Sequence, residues 1–268
     1  MSGQENWGAG DAYERYAGRW SREVARSFID GLDVPRGATW ADVGCGTGAL
    51  TERILELRNP SRVVGIDRSE GFVAHARAAV RDPRATFETG DASALPWEEG
   101  RFDAAVSGLV LNFVREPAAM ASEMARVTRP GGRVAAYVWD YAGGMQMMRW
   151  FWDVAIEQNR GDARLDQAER FPVCRPEPLA ALFRDAGLEG IGVRAIDIPM
   201  IFRDFDDYWQ PFLGRQGAAP TYLASLSPAD QARLREALRA RLPANVDGSI
   251  VMSARAWAVE GRRADGMG

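Results

Sequence analysis

The chain has 268 residues, 46% of them hydrophobic and 26% charged, values that suit a globular protein able to bury a full core. Its 33 basic residues against 37 acidic ones leave a net charge of −4, which argues against the broad positive surface of a general nucleic-acid binder. No apolar run approaches the roughly 18–20 residues that a membrane span needs, and two cysteines, Cys45 and Cys174, make no disulfide framework.

The first seven residues offer neither a basic region nor an apolar stretch, so a cytoplasmic protein without a secretory leader is expected. Tyr13, Tyr16, Ala17, Trp20, Val24, Phe28 and Ile29 recur every three to four residues and predict a helix over 11–32, with a break at Gly18. Pro35-Arg36-Gly37 then punctuates the chain, and strands alternate with helices: strand 38–43, helix 48–57, strand 62–67, helix 70–81, strand 84–89, strand 102–107, helix 116–128 and strand 132–139. Such alternation predicts an α/β fold, a parallel sheet with helices on both faces. Pro130-Gly131-Gly132 is expected to end the helix before the last of these strands.

The stretch Asp42-Val43-Gly44-Cys45-Gly46-Thr47-Gly48 joins the first strand to a helical pattern of Leu50, Ile54, Leu55 and Leu57. Glycines there let the backbone approach a ligand and adopt positive φ, and the helix start behind them offers unpaired N–H groups. This is a cofactor cradle. Gly44, Gly46 and Ala49 also satisfy the dinucleotide spacing, so the glycines alone leave NAD and S-adenosylmethionine both open.

The later region changes character. Residues 143–159 form a helix apolar nearly all round, which implies burial on two sides or a pocket wall. Helix 176–186, strand 188–198, an aromatic-rich helical segment 204–213, helix 227–241 and a final strand 249–259 follow, and the last residues, 261–268, are expected to fray.

Three features decide between the cofactors. Asp42 stands two residues before the first glycine, Asp67 ends the strand Val63-Val64-Gly65-Ile66-Asp67, and Gly90-Asp91-Ala92 follows the third strand. With these the chain resembles the class I S-adenosylmethionine-dependent methyltransferases, particularly the small-molecule methyltransferase-domain proteins, over about residues 10–140. The resemblance implies a Rossmann-like doubly wound sheet, mostly parallel with an antiparallel last strand, and S-adenosyl-L-methionine as cofactor. It further implies a division into a cofactor core (1–140) with an N-terminal closing helix, cap insertions at 141–172 and 200–248, and the rest of the sheet domain at 173–199 and 249–260.

Residue roles follow from the same likeness. Tyr16 and Arg19 lie in the segment that closes over the cofactor, where a guanidinium can hold the methionine carboxylate through two hydrogen bonds; the competing reading is the solvated side of an amphipathic helix. Asp67, with Arg68 beside it, is placed to accept from both ribose hydroxyls, or alternatively caps the next helix. Asp91 would take the adenine amino group and the Ala92 N–H a ring nitrogen. Asp42 would orient the cradle of Gly44 and Gly46 or face the methionine ammonium through water, or serve as a buried structural carboxylate. At Ser107 and Gly108 backbone carbonyls would meet the methionine ammonium, with Asn112 facing the acceptor. The stretch 107–113 lacks the Asn/Asp-Pro-Pro-Tyr/Phe signature of DNA amine methyltransferases, which again leaves nucleic acid aside.

Displacement at a sulfonium needs alignment and desolvation more than a base. If the acceptor is a hydroxyl, Asp140 and Tyr141 are the nearest candidates for proton removal, while the single histidine, His75, reads as a surface residue. Trp139, Met145, Phe202 and Trp209 would line an apolar acceptor pocket, or are simple core. No cluster has metal-ligand spacing, so no metal is expected. The expected activity is methyl transfer to a small aromatic or apolar acceptor; a non-catalytic S-adenosylmethionine-binding module and an NAD-dependent oxidoreductase are the alternatives. The pattern does not specify an oligomeric state.

Overall fold

The computed structural model describes residues 19–214 and 217–265. Seven strands, β1 (Thr39–Val43), β2 (Arg62–Asp67), β3 (Ala85–Thr89), β4 (Phe102–Gly108), β5 (Thr128–Trp139), β6 (Leu188–Phe202) and β7 (Ile250–Arg263), pair in the order β3-β2-β1-β4-β5-β7-β6. The pairs from β3 through β5 are parallel, and β5–β7 and β7–β6 are antiparallel. Sequence order reverses between β1 and β4, and open sheets of this type receive ligands outside the strand carboxyl ends at that reversal. The central strands are covered on both faces. Trp40, Ala41 and Val43 of β1 and Ala104, Ala105 and Val106 of β4 are fully enclosed, which is why these strands read as apolar runs without alternation.

The helices are α1 (Arg19–Asp30), α2 (Ala49–Arg58), α3 (Glu70–Ala79), α4 (Pro117–Val127), α5 (Gln146–Gln158), α6 (Gln167–Arg170), α7 (Pro176–Asp185), α8 (Phe205–Trp209), α9 (Ala218–Ser225) and α10 (Pro228–Arg241). The chain divides into two compact units. The first comprises Ser21–Val138, Val173–Ile196 and Trp257–Gly268, and the second includes Trp20, Trp139–Pro172 and Asp197–Ala256.

In the first unit, α1 buries Val24, Ala25, Phe28 and Ile29, and the Phe28 ring lies 4.7 Å from that of Tyr137. Its last carbonyls are satisfied from a distance. Arg194 donates to Ser27 O and Phe28 O, both at 3.2 Å, and Arg58 donates to Ile29 O and to Leu32 O, the latter at 2.7 Å. Cations at a helix carboxyl end complement both its open acceptors and its dipole.

The second unit is held by rings. Phe151 of α5 stacks on Phe212 at 4.6 Å, Trp152 meets Tyr222 at 5.4 Å, and Tyr208 lies 5.4 Å from Phe202. Polar tips are paired: Trp152 Nε1 donates to Gln167 Oε1 at 3.0 Å and Tyr208 Oη to Met147 O at 3.0 Å.

Several boundaries differ from expectation. The strand expected at 132 begins at Thr128, because β5 absorbs Pro130-Gly131-Gly132 as an irregularity: Phe102 pairs with Thr128, but Ala104 pairs with Arg133. Strand β7 continues to Arg263, so residues 261–263 are not a frayed tail; Arg263 Nη1 donates to Arg126 O (2.7 Å) and Thr128 O (2.6 Å). Helix α5 starts at Gln146 and not 143, since Gly143 and Gly144 belong to a turn in which Met145 N donates to Asp140 O at 2.8 Å. Helix α9 was not foreseen. Ala218, Ala219, Pro220, Tyr222 and Leu223 are buried while Thr221, Ala224 and Ser225 are exposed, and in eight residues with three alanines and a proline the apolar contrast is too weak and too short to mark a period.

Candidate functional site

Beyond Val43 the chain leaves β1 and is tied at once to its neighbour, Gly44 N and Cys45 N both donating to Ile66 O, at 2.7 and 2.9 Å. Gly44, Gly46 and Gly48 have φ of 77°, 52° and 92°. The requirement differs between positions. At Gly44 a Cβ would fall 2.5 Å from the Val110 side chain, so the absence of a side chain lets the loop after β4 pack on the cradle. At Gly46 a Cβ would meet nothing within 4 Å, so its left-handed backbone presents an open face to which a ligand can come close. Helix α2 follows with Gly48 at its N-cap and no side-chain cap, which leaves its first N–H groups and positive dipole end at the loop.

Asp67 at the end of β2 braces this loop. Its Oδ2 accepts from Gly46 N at 3.1 Å and its Oδ1 from Ser69 N at 2.8 Å, while Ser69, not Asp67, caps α3 by accepting from Phe72 N at 3.3 Å. Burial raises the Asp67 carboxyl pKa, against the stabilising pull of those two N–H groups. Gly90 N donates to the Asp67 carbonyl at 3.0 Å, which brings the Gly90-Asp91-Ala92 turn to the same strand end. Asp91 is exposed and its Oδ1 accepts from Ser93 N at 2.8 Å, and Ala92 is half-buried. Arg68 is exposed beside Asp67.

Asp42 is fully enclosed beneath the loop. Its Oδ2 accepts from Thr51 Oγ1 at 2.6 Å, whereas its Oδ1 has no hydrogen-bond partner. Desolvation pushes its pKa up to about 7, only partly opposed by Thr51, with the Asp67 charge adding to the rise. Thr51 was missed in the sequence. Its signal was a hydroxyl within the buried stripe Leu50, Thr51, Ile54 of α2, where a polar side chain needs a partner.

On the other side of the reversal, Ser107 Oγ donates to Val43 O at 2.7 Å and so staples β4 to the end of β1. A Cβ at Gly108 would lie 2.6 Å from Tyr137 Oη, so the phenol occupies the space beside that backbone. Leu109 turns the chain with φ of 62°, and Asn112 three residues on is buried at 8% exposure.

The remaining expected residues fall in other segments of the chain. Tyr16 is outside the described residues, and for Arg19 the backbone at the start of α1 is described. Asp140, Tyr141, Trp139, Met145, Phe202 and Trp209 belong to the second unit, and all are buried there. Asp140 Oδ1 accepts from Gly143 N at 3.2 Å, which makes its carboxylate part of the turn before α5. Tyr141 packs 5.8 Å from Phe171, Phe202 lies 5.3 Å from Trp20, and Trp209 lies parallel to Phe205 at 6.1 Å. Among the described residues no cluster of ligating side chains fits a metal ion, and no helix is long and apolar enough to cross a membrane.

An acidic strand end, an open glycine face and uncapped helix amides together suit a cofactor that carries a diol and a charged tail. The family model described as "Methyltransferase domain" matches residues 41–136, which span this site. The chain is 31% identical over 179 residues to a demethylmenaquinone methyltransferase of Beutenbergia cavernae, covering 63% of this chain and 73% of that one. It is 34% identical over 178 residues to a 2-phytyl-1,4-naphtoquinone methyltransferase of Thermosynechococcus vestitus, covering 61% and 77%. Six further relatives are covered over only 34% to 58% of their own length. A solved structure of a methyltransferase-like protein from Bacillus halodurans shares the fold at a TM-score of 0.61 and 14% identity, over 90% of this chain and 99% of that one. Glycine loop, Asp67 and the Gly90-Asp91 turn thus stand in the order that one cofactor explains, and the chain belongs to the class I S-adenosylmethionine-dependent methyltransferases.

Proposed function

We propose that the protein transfers the methyl group to a small oxygenated aromatic acceptor of the quinol type. The observation that carries the acceptor class is that two relatives covered over more than two thirds of their length are named for a menaquinone precursor and a 1,4-naphtoquinone. S-adenosylmethionine, when bound, supplies a methyl on a sulfonium, whose thioether leaves without needing a proton.

The chain's own residues hold and orient it. The Asp67 carboxylate, already an acceptor for the Gly46 N–H, is suited to the ribose hydroxyls, because an ionised carboxylate only accepts. Asp91 and the Ala92 N–H are assigned to the adenine, and the backbone of Gly44, Gly46, Ser107 and Gly108 to the methionine end. Asp42 orients the loop from beneath through Thr51. Methyl transfer from a sulfonium relies mainly on alignment and exclusion of water, and the proton that the quinol-type acceptor loses is assigned to Asp140, whose Oδ1 accepts from Gly143 N, or to Tyr141.

The test is incubation with methyl-labelled S-adenosylmethionine and a reduced 2-alkyl-1,4-naphthoquinone under anaerobic conditions, beside catechol, amine and carboxylate acceptors. Label in the naphthohydroquinone product is the expected result. Label only in other acceptors overturns the acceptor class, and failure to bind S-adenosylhomocysteine overturns the cofactor assignments.

A further inference from the structure

Resting on the reading that the acceptor is an oxygen-bearing ring, we infer that the Asn112 carboxamide donates a hydrogen bond to an acceptor oxygen and selects a hydroxyl- or carbonyl-bearing ring over a hydrocarbon of the same shape. Asn112 is 8% exposed, and its Nδ2 is enclosed without a hydrogen-bond partner. A carboxamide nitrogen brings two donor hydrogens, and leaving them unmade in the interior is a standing penalty that a free protein gains nothing from. Three residues earlier, Leu109 holds φ of 62°, a left-handed backbone that a leucine adopts only under constraint.

These two unfavourable features share one short loop, and that loop packs against the cofactor cradle. The Val110 methyl groups occupy the space that a Cβ at Gly44 would take, and Leu109 N is fastened to Tyr137 O at 2.8 Å. The loop therefore follows β4 at the sheet reversal, held by its neighbours on both sides. The other enclosed polar atoms without partners among the described residues are Trp40 Nε1 within β1, Asp42 Oδ1 beneath the cradle and Arg53 Nε on α2. Asn112 alone among them is a donor in the strand-end loop that touches the cradle. Backbone strain and an unmade donor kept together at a strand carboxyl end are a pre-organised recognition group, whose hydrogen bond forms when an oxygen of the ring arrives.

The experiment is a cycle between side chain and ligand. Binding of 1,4-dihydroxynaphthalene and of naphthalene is measured anaerobically on the wild type and on Asn112→Leu, with S-adenosylhomocysteine present, and melting temperature and S-adenosylhomocysteine affinity are taken on the same samples. In the wild type, removing the ligand oxygens is expected to weaken binding about tenfold or more. In Asn112→Leu the two ligands should bind alike, S-adenosylhomocysteine affinity should be unchanged, and the melting temperature without ligand should hold or rise, since an unmade buried donor has been replaced by an apolar group of similar size. A structural asparagine would instead lower the melting temperature and leave the oxygen preference intact. If Asn112→Leu does not fold, Asn112→Ala carries the same cycle. A preference that persists in the variant overturns the Asn112 assignment and leaves the acceptor class standing. A wild type that binds S-adenosylhomocysteine but neither methylates nor binds the naphthohydroquinone overturns the acceptor class, and the Asn112 assignment with it.

Discussion

Replacing Asp42 by asparagine should make the protein more stable at pH 8 and change the way its stability depends on pH. The carboxyl is fully enclosed, one oxygen is held by Thr51 at 2.6 Å and the other by nothing, and its pKa rises from 3.8 to about 7. A group that binds its proton more tightly when folded stabilises the fold fully below its unfolded pKa, and loses that contribution as pH rises to the folded value. The window is therefore from about pH 4 to about pH 7, and stability falls across it. A displacement of about three units at 1.36 kcal/mol each sets the loss near 4 kcal/mol. Asparagine has no proton to lose there, and its Oδ1 can still accept from Thr51. Urea unfolding of both proteins from pH 4.5 to 8.5 measures the effect. Asp103 and Glu123, whose pKa values are lowered, impose the opposite slope, but they are present in both proteins and cancel in the difference. The expected difference grows with pH in favour of Asp42→Asn and levels off above pH 7. A difference that stays constant across the range refutes the reasoning, because Asp42 would then hold the same protonation state in folded and unfolded chains.

Asp67→Ala should weaken S-adenosylhomocysteine binding by about 1.5–3 kcal/mol in calorimetry, the range for hydrogen bonds to a charged group, and an unchanged affinity would remove the ribose assignment. Gly46→Ala should cost about 1–2 kcal/mol of stability through its φ of 52°, without a clash, and reduce cofactor affinity because the Cβ enters the open face; Gly44→Ala, with Val110 at 2.5 Å, should lose more stability in thermal melts. Trp209→Ala should destabilise by about 3–5 kcal/mol, since the ring is 7% exposed between Phe205 and Phe212. A melting temperature left unchanged by that truncation, with turnover lost, would return Trp209 to the acceptor pocket.

Local chemistry made the cofactor half of the protein legible in the sequence. Glycines at 44, 46 and 48, an acidic residue at a strand end and a Gly-Asp turn are constrained by backbone conformation and by the ligand, and both constraints act over a few residues, so they leave a pattern in the chain itself. Apolar periodicity likewise announced the parallel strands and their crossover helices. Tertiary structure decided the rest. That Asp42 answers to Thr51, nine residues away on another element, and that Ser107 bonds to the Val43 carbonyl depend on which elements become neighbours. Helix α9 carried no readable period because it is short and its exposed face, Thr221, Ala224 and Ser225, contrasts little with its buried one, and β7 outran its expected end because Arg263 finds the Arg126 and Thr128 carbonyls more than 130 residues earlier in the chain. The rings of Phe202 and Trp209 read equally as pocket or core, since periodicity reports that a side chain is covered and not what covers it; only the folded chain shows that they pack against Trp20, Tyr208, Phe205 and Phe212.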